Sequence, residues 1–326
     1  MRTPAFWWRS RPTPLAASLA AVGAVYGAAT AWRMARPGFD PGLPVLCVGN
    51  LVAGGAGKTP TTAALAGLLR DRGFTPAILS RGYGRRSGGA AMLRVDPDRH
   101  DWREAGDEPL LLARTASTFV ATDRAAAASA AAMAGADVLV LDDGLQSPAL
   151  RKRWAVAVVD GNSGVGNGLC VPAGPLRAPT SLQWLAVSLL CVIGRGAAGE
   201  AVARRAAFAG VPVTTARLVP DADTLDRWRG RPLFAFAGLG LPDKFFRTLE
   251  EAGMTLAGRR AFPDHHPYAQ GDLAALRDQA SGALLVTTAK DRVRLPPDFP
   301  AEALPVRLAF ADPEAVWSSL RAALSA

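Results

Sequence analysis

The stretch Pro44–Pro60, PVLCVGNLVAGGAGKTP, decides how the chain is built. Val45–Val48 is a short apolar run suited to a buried strand, and it leads into Gly54, Gly55, Gly57, Lys58 and Thr59. The residues that follow, Thr61–Arg70, read as a helix. Strand, glycine turn, helix is the context a phosphate loop needs. Glycines let backbone N–H groups turn inward onto phosphate oxygens, and the helix N-terminus adds positive partial charge. Lys58 is then placed to reach β- and γ-phosphates, and Thr59 to ligate Mg²⁺.

Standard spacing has glycine where this chain has Val52. The loop therefore resembles the GGxGKT variant of the partition and nitrogenase-iron-protein class of P-loop ATPases. Those often carry a lysine just before the glycines, and Ala53 stands there instead. Downstream, ADVLVLDDGLQ runs from an apolar strand, Val138–Leu141, into Asp142 and Asp143. Carboxylates at the end of a buried parallel strand are what the Mg²⁺ side of such a site requires. Adjacent residues on a strand point to opposite faces, so one of the two reaches the metal directly. Ala77–Leu79 and Ala155–Val159 supply further β-runs, with alanine-rich helices such as Ala125–Met133 between them. The expected class is α/β, a P-loop core with a mostly parallel sheet. No Asn-Lys-x-Asp guanine-reading motif is present, so ATP is the expected nucleotide.

The chain has 326 residues, which suggests about two domains, and 49% hydrophobic positions exclude disorder as the main state. The formal charge of +9 favours an anionic partner. Without a tandem basic and aromatic pattern, nucleic acid is not expected. Cys47, Cys170 and Cys191 are widely spaced within apolar runs, which excludes a disulfide framework or a zinc site. Leu15–Trp32 is uncharged, with Arg2, Arg9 and Arg11 before it and Arg33 and Arg36 after it. As one helix it would be about 27 Å long, just short of a ~30 Å hydrocarbon core.

A secretory signal, a spanning helix and an interfacial helix compete for this segment. An ATP loop immediately downstream argues against secretion, and Ala and Gly supply little transfer energy for a span. The interfacial reading puts Leu15, Leu19, Val22 and Tyr26 on one stripe, and Ala16, Ala20, Gly23 and Gly27 on another that packs against the protein. Trp7 and Trp8 beside Arg9 would suit the headgroup zone.

Between the loop and the Mg²⁺ strand lie SRGYGR (Ser80–Arg85) and GDEP (Gly106–Pro109). Loops of this kind sit at the carboxyl edge of a sheet, where ligands bind. Arg81 or Arg85 could hold a phosphate, and Asp107 or Glu108 could accept a proton from an attacking hydroxyl. Two of the three histidines are adjacent in FPDHHPY, Phe262–Tyr268. A third metal ligand is missing there, which favours an imidazole that orients a carboxylate elsewhere. Lys290 in TTAKD either reaches the cleft or pairs with Asp291.

Taken together, GNLVAGGAGKTP, SRGYGR, GDEP, LVLDDGLQ, GNG followed by PAGPLR, FAGLGLPDKFF, FPDHHPY and TTAKD resemble the tetraacyldisaccharide 4'-kinase family over most of the chain. The resemblance implies transfer of the γ-phosphate of ATP to the 4'-hydroxyl of a tetraacyldisaccharide 1-phosphate in lipid A synthesis. The place it implies is the cytoplasmic face of a bacterial inner membrane, with the enzyme peripheral or monotopic. It implies ATP binding by Val52, Ala53, Gly54, Gly55, Ala56, Gly57, Lys58 and Thr59, and a Mg²⁺ site served by Thr59, Asp142 and Asp143. Asp107 matches the catalytic base and His265 the histidine paired with it. Many members read LREP after PAG, and here the glutamate position is Ala178.

The expected partners are the lipid substrate and the membrane surface, with no nucleic acid and no obligate protein partner. The expected organisation is a helical membrane-associated segment over 1–40, the P-loop core over 41–218 and a smaller α/β unit over 219–326. The competing account is a membrane-associated ATPase switch of the partition type.

Overall fold

The computed structural model describes residues 3–54, 57–82, 85 and 91–325. Its first eight strands are β1 (Val45–Asn50), β2 (Pro76–Ser80), β3 (Met92–Arg94), β4 (Ser117–Ala121), β5 (Val138–Asp142), β6 (Trp154–Asp160), β7 (Leu189–Ile193) and β8 (Val213–Pro220). Five more follow: β9 (Leu233–Ala237), β10 (Leu256–Ala261), β11 (Leu284–Thr288), β12 (Ala301–Leu304) and β13 (Val306–Phe310).

Nine strands form one sheet in the order β13-β8-β7-β6-β1-β5-β2-β4-β3. All its pairings are parallel except those at the two edges, β13 with β8 and β3 with β4. A strand buried on both faces needs no polar alternation, and β1 and β5 are apolar and fully buried up to their last residues. Strand β1 sits between β6 and β5, so the order reverses there. The crevice beyond its carboxyl end is where α/β sheets bind ligands.

A second sheet, all parallel, runs β10-β9-β11-β12. It carries its own core, with Trp228, Phe245, Phe246 and Leu249 on one face and Phe262, Tyr268, Leu276 and Phe299 on the other.

The last two elements depart from the expected 219–326 unit. Strand β13 pairs with β8, and the terminal helix Pro313–Leu324 buries Val316 and Leu320 with Leu65 and Leu69 on the large sheet. An apolar stripe goes where a matching face lies open, and here that face belongs to the P-loop core rather than to the preceding strands.

The N-terminal segment also differs in detail. It bends at Leu19 into two helices, Pro14–Ser18 and Ala20–Met34, and no described helix is long and apolar enough to cross a membrane. Its small residues do face inward: Ala16, Gly23 and Gly27 are buried. A Cβ on Gly23 would sit 2.7 Å from the Cys170 carbonyl oxygen, so only glycine allows this approach. Trp7 is buried rather than at a headgroup surface, because its indole N–H donates to the Pro172 carbonyl at 2.9 Å. Trp8 is half-buried against the main core.

Candidate active site

The phosphate loop leaves β1 at Asn50 and enters the helix Lys58–Arg70 through Gly57, whose φ of 78° is left-handed. Gly55 and Ala56, both expected to contact nucleotide, lie outside the described residues. A strap formed by Pro175–Arg177 holds the near side of the loop. Val52 bridges Leu176, the Ala53 N–H donates to the Pro175 carbonyl at 2.7 Å, and the Arg177 N–H donates to Leu51. Lys58 donates to the Gly54 carbonyl at 3.3 Å and lies 3.8 Å from Asp143. Thr59 occupies the first turn of the helix beside it.

Asp142 and Asp143 part company at the end of β5. Asp142 is buried and accepts from Thr62 Oγ1 at 3.1 Å and Ser80 Oγ at 3.4 Å. Burial pushes its carboxyl well up, the nearby Glu108 and Asp143 charges push further, and Lys58 and Thr62 offset only part. Asp143 has a left-handed φ of 52° that swings it to Arg177, which it meets with both oxygens at 2.7 and 3.1 Å. Burial raises its carboxyl too, but Lys58 and Arg177 outweigh that and hold it low. Among the described residues no group of three His, Cys, Asp or Glu could hold a metal by itself. Any ion here must complete its shell with phosphate oxygens and water, the usual habit of Mg²⁺.

Residues that local motifs did not flag support this edge. Gln146 donates to the Asn50 carbonyl and to Gln183, and it accepts from Arg177. Gln183, fully buried, donates to the Leu51 and Ala178 carbonyls. Lys152 donates to the Gly144, Leu145 and Ser147 carbonyls and so shapes the turn after Asp143. Ala178 is fully buried and brings no carboxylate to the metal side.

Arg124, also buried, donates to the Asp142 carbonyl at 3.2 Å, while its Nε and Nη1 have no partner. Of the two arginines expected at substrate phosphate, Arg81 is exposed and close enough to Arg124 to lower its pKa, second to burial. Arg85 is half-buried and donates its N–H to the Gly82 carbonyl.

The second half of the site is assembled across the two sheets. Asp107 opens the helix Asp107–Ala113 and is only 3% exposed. Its Oδ1 accepts the Glu108 N–H at 2.9 Å, and its Oδ2 meets His265 Nδ1 at 2.9 Å and the Arg294 guanidinium. Burial raises the Asp107 carboxyl, but the His265 hydrogen bond and the Lys290 and Arg294 charges hold it far below the usual carboxylate range. His265 sits in a left-handed turn after β10, with φ 58°. Lys290 reaches the cleft: it pairs with Glu108 at 3.0 Å and lies 3.3 Å from His265 Nε2. His266 is turned away, bonded to Asp272 at 2.8 Å and stacked on Phe262. A further tie between the sheets joins Lys244 to Asp160 at the end of β6.

A phosphate loop at a strand-order reversal, carboxylates on the neighbouring strand and an Asp-His pair delivered from a second sheet define a P-loop phosphotransferase. Residues 15–325 match the family model described as Tetraacyldisaccharide-1-P 4'-kinase. The chain is 57% identical over 328 residues to the tetraacyldisaccharide 4'-kinase of Methylobacterium sp. (strain 4-46), covering 100% of this chain and 98% of that one. With the tetraacyldisaccharide 4'-kinase of Rhodopseudomonas palustris (strain BisB5) it shares 51% over 300 residues, 91% of this chain and 88% of the other. The crystal structure of LpxK from Aquifex aeolicus in complex with ATP superposes with a TM-score of 0.75 at 26% identity, covering 95% of this chain and 99% of that one. The chain belongs to the tetraacyldisaccharide 4'-kinase family. That membership sets aside the partition-switch account.

Proposed function

We propose that the chain transfers the γ-phosphoryl group of ATP to the 4'-hydroxyl of a tetraacyldisaccharide 1-phosphate, with the labour divided as follows. The 4' oxygen forms the new P–O bond, the bond from γ-phosphorus to the β,γ-bridging oxygen breaks, and ADP leaves. The proton of the hydroxyl passes to the Asp107–His265 pair. Lys58 and the backbone N–H groups of the loop neutralise and orient the phosphates. The observation that carries this reading is proximity: the Ser80 hydroxyl donates to Asp142, and two residues further on Gly82 packs against the Ala105 carbonyl, just ahead of Asp107, so acceptor and nucleotide chemistry share one cleft.

The residues present fit a magnesium ion. Asp142 is a buried carboxylate bonded only to hydroxyls, and no cation meets it within ion-pair distance among the described residues. Asp142 and Thr59 would hold the ion, with Asp143 beside them already balanced by Arg177 and Lys58. When bound, the ion neutralises charge on the β- and γ-phosphates.

Lys58→Ala tests the assignment of the loop. Loss of a preorganised charge on the transferring group is expected to slow lipid phosphorylation by about 10²- to 10³-fold with the fold intact. An unchanged rate contradicts the assignment.

The acceptor's four acyl chains keep it in a bilayer, since extraction costs about 0.8 kcal/mol per CH₂. We place the protein on the cytoplasmic surface of the inner membrane through the outer face of Pro14–Met34. Leu15, Val22, Val25, Tyr26 and Trp32 are exposed there. Arg33 and Arg36 supply the charge for anionic lipid. Val25→Asp is expected to weaken binding to anionic vesicles about tenfold or more, from lost apolar transfer and added repulsion. Sedimentation with vesicles reads this, and undiminished binding removes the face from the account.

A further inference from the structure

We propose that Arg294 is a positioning residue for the transfer: its guanidinium, held from behind by Asp291 and the Gly238 carbonyl, sets the plane of the Asp107 carboxylate and thereby the direction of the His265 ring. The proposal rests on the reading that the Asp107–His265 pair takes the hydroxyl proton.

Three buried charges alternate in a line. Asp291 is fully buried and fixed by the Gly238 N–H, the Tyr268 hydroxyl and the Thr288 hydroxyl. Its Oδ1 receives Arg294 Nη1 at 3.2 Å, and Nη1 also lies 3.5 Å from the Gly238 carbonyl. The other arm, Nη2, reaches Asp107 Oδ2, with both side chains nearly inaccessible to water. A guanidinium is rigid and planar, so fixing one arm aims the other.

The same segment fixes the imidazole. The ionised Asp107 carboxylate can only accept, so the nitrogen 2.9 Å from it is the donor, and Nε2, 3.3 Å from Lys290 one turn before Arg294, is left as the acceptor. Nδ1 then carries the proton and donates it to Asp107 Oδ2. Arg294 Nη2 lies 3.3 Å from Nδ1 and completes the fork around that oxygen. Asp107 thus faces His265 from the turn after β10, Lys290 and Arg294 from the segment after β11, and Glu108 on its own helix. Asp264 stands 3.8 Å from Lys290 on the far side. With Arg294 gone, His265 is the one side-chain partner left to Asp107 among the described residues, and the Glu108 N–H on Oδ1 does not by itself fix the plane of the carboxylate.

The test compares the full-length wild type with Arg294→Lys, Arg294→Gln and Asp107→Asn for kcat, KM for ATP, melting temperature and the pH–rate profile. Lysine keeps a cation in the pocket but not the fork. Arg294→Lys is expected to fold, to keep KM for ATP within about twofold and to lower kcat by about 10²-fold, the cost of a misplaced reacting group. The acid limb of its profile is expected to move to higher pH, because the carboxylate loses stabilisation as an anion. Unchanged kcat and profile overturn the proposal. So do parallel losses of kcat, ATP affinity and melting temperature, or failure of both variants to fold, which mark a purely structural role. An active Asp107→Asn variant instead sinks the reading beneath, whereas a slow one beside a normal Arg294→Lys sinks only this proposal.

Discussion

Asp107→Asn and His265→Ala are each expected to lower kcat for lipid phosphorylation by about 10²- to 10⁴-fold, the range for loss of general base assistance. The double variant is expected to be about as slow as the worse single one. The reason is geometric. The two side chains share one hydrogen bond, Oδ2 to Nδ1 at 2.9 Å, and each is oriented by the other. Groups that act as one unit lose their joint contribution when either is removed. Asparagine is the better probe at 107, since its amide oxygen can still accept from the Arg294 guanidinium, whereas alanine would leave the buried Nη2 arm without an acceptor, its other arm staying on Asp291, and confuse stability with chemistry. Single-turnover rates on the three variants, with ATP binding as a control, read the coupling. Losses that multiply in the double variant would show that the residues act independently.

Asp142→Asn should produce opposite effects on activity and stability. Transfer is expected to fall by about 10²-fold or more, because a charge near the transferring phosphate is lost. The melting temperature of the nucleotide-free protein is expected to rise by several degrees near neutral pH. Burial, then Glu108 and Asp143, place the folded pKa of Asp142 above its unfolded value. A raised carboxyl pKa means that ionisation costs stability as pH climbs from the unfolded value through the folded one. The amide removes that cost, so the gain over wild type should grow with pH through that window and shrink in acid. Wild type should be stabilised by MgATP more than the variant is. Thermal unfolding at several pH values with and without MgATP checks all three statements. A variant less stable than wild type at neutral pH would contradict them.

Much of this architecture is written locally in the chain. Strand β1, the glycine turn and the helix from Lys58 are contiguous, and each has its own signature, so their order was readable without tertiary information. The apolar run into Asp142 was readable for the same reason. What could not be read were pairings of distant residues. Arg294 meets Asp107 across 187 positions, and no local pattern distinguishes it from a solvated arginine. Trp7 looked interfacial because the Pro172 carbonyl that draws it inward lies 165 positions away. Chain order alone puts the last residues with the rest of the 219–326 unit, whereas β13 turns back to an open edge of the large sheet and the terminal helix follows it. Gln146 and Gln183 carry no motif, and their importance follows only from the carbonyls they satisfy. Of the adjacent acids, spacing alone left Asp107 and Glu108 equivalent. Their partners separate them, His265 and Arg294 for the first and Lys290 for the second.

The most direct measurement follows the label from γ-labelled ATP after incubation of the wild-type protein with tetraacyldisaccharide 1-phosphate in mixed micelles. The account predicts labelled lipid carrying a new phosphate monoester at the 4' position, formed only when the lipid acceptor is present. Label recovered solely as inorganic phosphate, from folded protein that binds ATP and is indifferent to the lipid, would contradict it.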